Sequence, residues 1–467
     1  MMIRRLFIVL GIFVLAHRLP AQTPLSLDDV LASTQKHYPP LLAVLAERDI
    51  ADAELLQAQG RFDLQIGAQA DVDRFGFYRS ERVNAGVEQA FSTWGASAYG
   101  GWRTGSGSFA PYDGKLDTRS LGEWRGGVKV PLFRNRAIDD RRAGVRRAAI
   151  GQRLADLTID QQRLAIQQMA ARRYWDWVAS GQRLGIARDV LKIAQDRDRQ
   201  LREAAQLGQI AAVEVTENRR QILLRQAQLV EADRGLQLTA FDLSLFYREA
   251  SGNPQLPAAS QLPPALPVTE APDEAKLIAD VAFALERRPD LVRFMAQQDQ
   301  AKLDLVLAGN DNKPAVDLSV GVTSEAGSGT TVRRGPNEVK GTLSFQLPLQ
   351  RRTAAGKQAS ALAKIGQFTQ RERFARDQVE TEIRDAASAV RAAHDRALLA
   401  KEEVSVALDL ADAEREKFRL GDSNLFTVNL REQAAVDAEL RDVGAVNDYL
   451  RAMTVYEQAT ARQLTQP

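Results

Sequence analysis

Apolar residues recur along this chain first at helical spacing, then at alternate positions, then at helical spacing again, and the cycle runs twice. Leu27 to Gln59 carries the helical pattern. From Phe62 to Phe133 glycines and aromatics multiply and the apolar period drops from about 3.6 to about 2, which predicts strands. The clearest runs from Glu123 to Leu132. Trp124, Gly126, Val128, Val130 and Leu132 share one face, and Glu123, Arg125, Gly127 and Lys129 the other. One face suits lipid and the other water.

From Ala137 to about Ala205 the chain is rich in Ala, Leu, Gln, Arg and Asp and has no proline. At 1.5 Å per residue a continuous helix there would reach roughly 100 Å, against about three turns for an ordinary globular helix. A second helical run follows Gly208 and ends near Ala250, before the breaker sequence Ser251-Gly252-Asn253-Pro254. The order then repeats. Glu274 to Ala308 is helical, Ala315 to Thr323 and Val339 to Leu349 alternate as strands, and Ala354 to about Arg419 is again a very long helix. Gly421 breaks it as Gly208 broke the first, and a last helix runs from Leu425 to Leu464.

The pattern therefore divides the chain into residues 1–21, a first repeat 22–255, a Pro-rich linker 256–273 and a second repeat 274–467. Tyr38-Pro39-Pro40-Leu41 parallels Arg288-Pro289-Asp290-Leu291, and Pro131-Leu132 parallels Pro348-Leu349. Arg82 to Phe91 and Ser97 to Thr104 form an additional strand pair in the first half that the second half lacks.

Residues 1–21 read as a secretory signal peptide: Arg4-Arg5, an apolar stretch from Leu6 to Ala16, then Leu19-Pro20-Ala21. The 62 basic and 60 acidic residues are spread along the whole chain, which gives no basic patch for nucleic acid. There is no cysteine, so disulfides, thiolate metal sites, a thiol nucleophile and a cysteine-linked lipid anchor are all excluded. His37 and His394 stand far apart without a metal-ligand pattern, and Gly327-Ser328-Gly329 lacks the Lys-Ser/Thr ending of a phosphate loop and reads as an exposed hairpin loop. No catalytic, cofactor or metal site is expected, and the chain does not read as an enzyme.

After residue 21 no apolar run has the length of a membrane-spanning helix, so any membrane passage must be made of strands. Two strands per half give about four per chain, too few to close alone, which calls for a barrel shared among several chains. Trp94, Trp102, Trp124, Tyr99, Phe91, Phe109 and Tyr112 cluster in the first strand region as interfacial aromatics do. The same strands fit a soluble β-domain with those aromatics inside. The duplication and the helix lengths favour the membrane.

Over nearly the whole chain after residue 21 the sequence resembles the outer-membrane efflux protein family of the TolC type. Glu286-Arg287-Arg288-Pro289-Asp290-Leu291, continuing to Lys313-Pro314-Ala315-Val316-Asp317-Leu318, is similar to the opening of that family's second half. Leu207-Gly208-Gln209-Ile210 and Phe418-Arg419-Leu420-Gly421-Asp422-Ser423-Asn424-Leu425-Phe426-Thr427 resemble its hairpin tips. The resemblance implies an α+β membrane protein of two tandem repeats: a trimeric transmembrane β-barrel of 12 strands continued by a long α-helical, coiled-coil barrel in the periplasm. It implies a homotrimer in the lipid of the bacterial outer membrane, and leaves three places open to the additional strand pair: an enlarged barrel, an extension outside the membrane, or a periplasmic flap. As the passive exit duct of an efflux or type I secretion system, it would meet a periplasmic adaptor and an inner-membrane pump, with no cofactor.

Carried over residue by residue, the periplasmic entrance comprises Gly208, Glu214, Phe418, Gly421, Asp422 and Thr427. Glu214 takes the place of an aspartate that helps hold the entrance shut. Its partners do not carry over: Phe418 lacks a tyrosine hydroxyl, Ser423 replaces an arginine, and Val213 cannot donate as a threonine would. Thr427 and Leu430 fill positions of acidic selectivity residues, which leaves Glu214 and Asp422 as the acidic groups. Glu214 also reads simply as an exposed carboxylate favoured in the first turn of a helix, and the glycines as plain helix caps. The alternative class is a periplasmic adaptor or coiled-coil scaffold, which would have one hairpin flanked by soluble β-domains.

Overall fold

The computed structural model describes residues 23–462 except 75, 111–115, 269 and 330–336. The predicted signal peptide at 1–21, Tyr112 and the predicted end of the last helix at 463–464 lie outside the described residues. In chain order the elements are α1 (Leu27–His37), α2 (Pro39–Gln59), β1 (Gln65–Asp73), β2 (Ser80–Ala90), β3 (Ser97–Gly107), β4 (Glu123–Pro131), α3 (Asp140–Gln206) and α4 (Ala212–Ser244). Then follow α5 (Glu274–Arg287), α6 (Pro289–Asp311), β5 (Ala315–Glu325), β6 (Asn337–Gln346), α7 (Arg352–Leu420) and α8 (Leu425–Thr460).

The paired proline motifs mark equivalent helix breaks. Pro39 opens α2 immediately after α1, and Pro289 opens α6 immediately after α5, because a proline at the first helical position sacrifices no hydrogen bond while its neighbour is pushed out of helical conformation. Ser26 caps α1 in a reciprocal capping box with Asp29, and Asp273 caps α5 through the Lys276 N–H at 2.7 Å. Among the described residues no helix is long and apolar enough to cross a membrane.

The chain forms two compact units, each drawing on separate stretches of the sequence. Among the described residues the first comprises 23–39, 166–272 and 386–456, and the second 40–165, 273–385 and 457–462. In the first unit Trp177, Leu184, Leu243 and Val30 make a core with Tyr174, whose hydroxyl donates to Leu25 O at 2.9 Å and is pushed by burial up to about 12. Residues of the Pro-rich linker belong to this core: Leu262 and Leu266 pack against it. The long helices bury narrow seams. On α7, Val379, Ile383, Ala386, Val390, Ala393 and Ala397 are buried at alternating spacings of four and three. That is the heptad signature of coiled-coil packing, with alanines allowing close approach.

The second unit contains one six-stranded antiparallel sheet in sequence order, β1 to β6. The expected count was about four per chain, and the difference is the additional pair, β2 and β3, which is inserted between β1 and β4. The register aligns the apolar positions of all six strands on one face. Ile66 pairs with Val87, Ala68 with Ala85, Ala85 with Trp102, Trp102 with Trp124, Val128 with Val320, and Leu318 with Leu343. The opposite face carries Asp71, Arg82, Arg103, Glu123, Arg125, Lys129, Asp317 and Lys340. Each helix that adjoins the sheet enters or leaves at one end: α2 before β1, α3 after β4, α6 before β5 and α7 after β6.

Candidate functional site at the helical turns

In the first unit the long helices α3 and α7 reverse at Gly208 and Gly421, with φ of 74° and 83°. Both turns have the same hydrogen bonds. Gln209 N–H donates to Ala204 O at 2.9 Å and Gly208 N–H to Ala205 O at 3.1 Å, while Asp422 N–H donates to Lys417 O at 2.8 Å and Gly421 N–H to Phe418 O at 3.1 Å. This is the Schellman arrangement, which needs a left-handed residue after the helix. A Cβ on either glycine would meet nothing within 4 Å, so the glycine is required by its dihedral angle and not by crowding.

The returning helices start differently. Asn424 caps α8: its Oδ1 accepts from the Thr427 N–H at 3.0 Å and from the Thr427 hydroxyl at 3.1 Å. Ser423 also donates to Glu414, holding that carboxyl below its ordinary range. Helix α4 begins at Ala211, which offers no side-chain cap. Glu214 lies in its first turn, half-buried, and its carboxylate meets no hydrogen-bond or ion-pair partner among the described residues. Asp422 is exposed and equally unpartnered there, and Phe418 is half-buried. Leu207, Val213, Leu420 and Phe426 leave an apolar rim exposed around the two turns.

About three helical turns back from the glycines lies a cluster that the sequence reading did not single out. Glu432 of α8 is shared by three arginines from the other three helices. Its Oε1 accepts from Arg197 of α3 and, at 2.9 Å, from Arg415 of α7, and its Oε2 accepts from Arg225 of α4 at 2.9 Å. Arg197 also donates to Asn429 Oδ1 at 3.0 Å, and Arg225 to Val190 O at 3.0 Å. The side chains of Arg225 and Glu432 are each only 3% exposed, so water does little to screen them.

Burial opposes the charge on Glu432, but the attraction and hydrogen bonds of three guanidiniums outweigh it and hold the carboxyl below its usual range. For Arg197 burial dominates and lowers its affinity for a proton, whereas hydrogen bonds to Glu432 and Asp412 outweigh burial at the more open Arg415. The opposite directions follow from one carboxylate serving three cations. Arg197 and Arg415 nevertheless remain charged, as arginines do in proteins. The cluster ties α3, α4, α7 and α8 together within this unit. A signal was present in the sequence: Arg225 falls on the α4 seam of Asn218, Ile222, Leu229, Ala232 and Leu236, at a position where an apolar residue is expected.

The motif residue Arg288 is a second anchor, in the other unit. It donates to Asp290 at 2.8 Å, to Glu382 at 2.7 Å and to Ala459 O at 3.3 Å. Its counterpart Tyr38, in the first unit, stacks on Phe246 with ring centroids 4.9 Å apart. Among the described residues no three metal-ligating side chains gather into a candidate ion site.

No protein-family model matches the sequence, and no curated protein matches it either. Solved structures do match its fold. The open-state MtrE outer membrane channel of Neisseria gonorrhoeae is 14% identical, covers 94% of this chain and 91% of its own, and superposes with a TM-score of 0.66. The outer membrane protein VceC of Vibrio cholerae is 15% identical over 93% of this chain and 96% of its own, with a TM-score of 0.64. The CmeC outer membrane channel of Campylobacter jejuni is 14% identical over 93% and 85%, with a TM-score of 0.62. These likenesses cover more than nine-tenths of this chain. The chain has the fold of the TolC-type outer-membrane channels.

Proposed function

We propose that this protein is the outer-membrane channel of a tripartite export system, working as a homotrimer that passively releases substrates delivered by an inner-membrane pump through a periplasmic adaptor. The observation that carries this reading is the sheet. It has one apolar and one polar face, and every helix that adjoins it does so at one end. A wall between lipid and a water-filled lumen needs those two faces, and a duct continuing into the periplasm needs that polarity of attachment. Exposed Trp124 at one end of the sheet, and exposed Phe91, Trp94 and Phe133 at the other, suit the two membrane interfaces. The amino-terminal signal peptide would deliver the chain to the periplasmic side.

In this reading the turns at Gly208 and Gly421 form the periplasmic entrance, with Glu214, Phe418, Asp422 and Thr427 around it. The unpartnered carboxylates of Glu214 and Asp422 are free to meet groups on neighbouring copies, and the apolar rim of Leu207, Leu420 and Phe426 suits an adaptor. Single-channel conductance of the detergent-extracted protein in a planar bilayer, measured with its oligomeric mass, tests the proposal. Discrete, long-lived openings from a trimer are expected. A soluble protein without conductance would overturn the reading. Glu214→Ala should raise the conductance of the closed channel, and an unchanged value would remove Glu214 from the gate.

A further inference from the structure

The additional strand pair is the feature that the proposed function leaves unassigned. Strands β2 and β3 have 11 residues each, and the other four have 9 to 11. A tilted strand needs about 9–11 residues to cross a bilayer core. The pair also continues the two faces without interruption. Val83 and Val87 of β2 are 39% and 40% exposed on the apolar face, against 47% for Val128 of β4 and 41% for Val320 of β5. On the polar face Arg82 of β2 pairs with Asp71 of β1 at 3.3 Å, and Arg103 of β3 with Glu123 of β4 at 2.6 Å.

Tyr99 locks the pair in place. From the polar face of β3 its hydroxyl reaches over β4 to β5: a Cβ on Gly127 would stand 2.8 Å from it, and one on Gly321 2.6 Å. The two glycines leave room for a ring that comes from the inserted hairpin, so the sheet is shaped around that hairpin. Its turn, 91–96, lies at the end where the helices attach. Outer-membrane barrels place their short turns toward the periplasm.

On the reading that the protein is a trimeric outer-membrane channel, we infer that β2 and β3 belong to the membrane wall. Each copy then supplies six strands, and three copies close a barrel of eighteen through β1 of one copy against β6 of the next. In hydrocarbon neither edge can remain unpaired. With an even number of strands, β1 and β6 run in opposite directions, so the seam continues the antiparallel order. The apolar residues at these edges are the most open of the sheet, with Ile66 79% and Val339 75% exposed. Barrel diameter grows roughly in proportion to strand number, so the bore would be about half again as wide as one made from four-stranded copies.

The chain has no cysteine, so single spin labels can be placed cleanly. Nitroxides attached at Val87→Cys and, as a second site on the same strand, Ala85→Cys would be compared with Val128→Cys on β4 and Asn84→Cys on the polar face. The readout is accessibility to oxygen, which concentrates in lipid, against a water-soluble nickel chelate. Both β2 sites should match Val128 within about a factor of two and differ from Asn84 in the opposite sense, because neighbouring residues on a strand face opposite sides. Water exposure at both β2 sites with Val128 in lipid would overturn the inference and leave the channel reading intact. Water exposure at Val128 as well would overturn both. Electron microscopy of the unlabelled trimer in nanodiscs gives an independent count: eighteen strands are expected, and twelve would refute the larger barrel.

Discussion

The two helical turns share one backbone and differ in everything attached to it. Gly208 and Gly421 have nearly the same φ and identical hydrogen-bond patterns. Past the glycine, the second turn is stitched by Asn424, Thr427, and Ser423 with Glu414, while the first re-enters its helix at an uncapped Ala211. The two turns share what the backbone demands, a left-handed residue, and differ in their side-chain stitching. The first turn is therefore the weaker of the two, and Glu214 lies in the first turn of the helix that follows it. Both turns hang from the same arginine cluster at Glu432.

Removing that shared support should have the largest effect. Glu432→Ala leaves three arginines without their common counter-charge, two of them well buried, which costs about 3–5 kcal/mol when a buried pair is broken. A thermal melt followed by helical circular dichroism should show it, and hydrogen exchange should quicken at both turns together. If only one turn loosens, the cluster does not couple the hairpins. Glu432→Gln adds a pH test. Because the folded carboxyl is held low, its contribution is complete above an unfolded glutamate's value of about 4.3 and is lost as pH falls through the lowered folded value. The stability gap between the wild type and Glu432→Gln should be constant near neutrality and close in strong acid. A gap that persists unchanged at pH about 3 would mean that Glu432 is not the titrating group.

Replacing the glycines comes next and probes what the two turns share. Gly208→Ala and Gly421→Ala each force a side chain into the left-handed region, at a cost of about 1–2 kcal/mol. Nothing crowds either Cβ, so the two penalties should be equal within error. Local amide exchange near each turn measures them. A markedly larger loss at one site would reveal a contact that the backbone comparison does not contain.

Much of this was legible in the sequence. Helix ends fall where Pro39, Pro289, Gly208 and Gly421 place them, because those residues act on their own dihedral angles. The period-two segments became strands for an equally local reason. What could not be read was where β2 and β3 sit, since alternation states which face a residue takes and not which strand it pairs with. The register resolves it: β2 and β3 pair between β1 and β4, and Tyr99 of β3 reaches across Gly127 to Gly321, which is far away in sequence. Glu432 was hidden for a similar reason. Its meaning depends on Arg197, Arg225 and Arg415 arriving from three other helices, and the single local trace was a charge on an apolar seam.

The smallest effects separate the two turns. Asn424→Ala removes a side-chain cap and should cost about 1 kcal/mol at the start of α8, the usual value for such a cap. Ala211→Asn introduces the same chemistry at the start of α4. Ala211 already has the extended backbone that a capping residue adopts, with φ of −72° and ψ of 143°, so the gain should approach about 1 kcal/mol without rearrangement. Together the two substitutions exchange the stitching between the hairpins. Hydrogen exchange should then show protection moving from residues 425–428 to residues 212–215, with the Schellman bonds before each glycine unchanged. If Ala211→Asn brings no protection, the looseness of the first turn comes from something other than its missing cap, and Glu214 in that first helical turn is the next residue to replace.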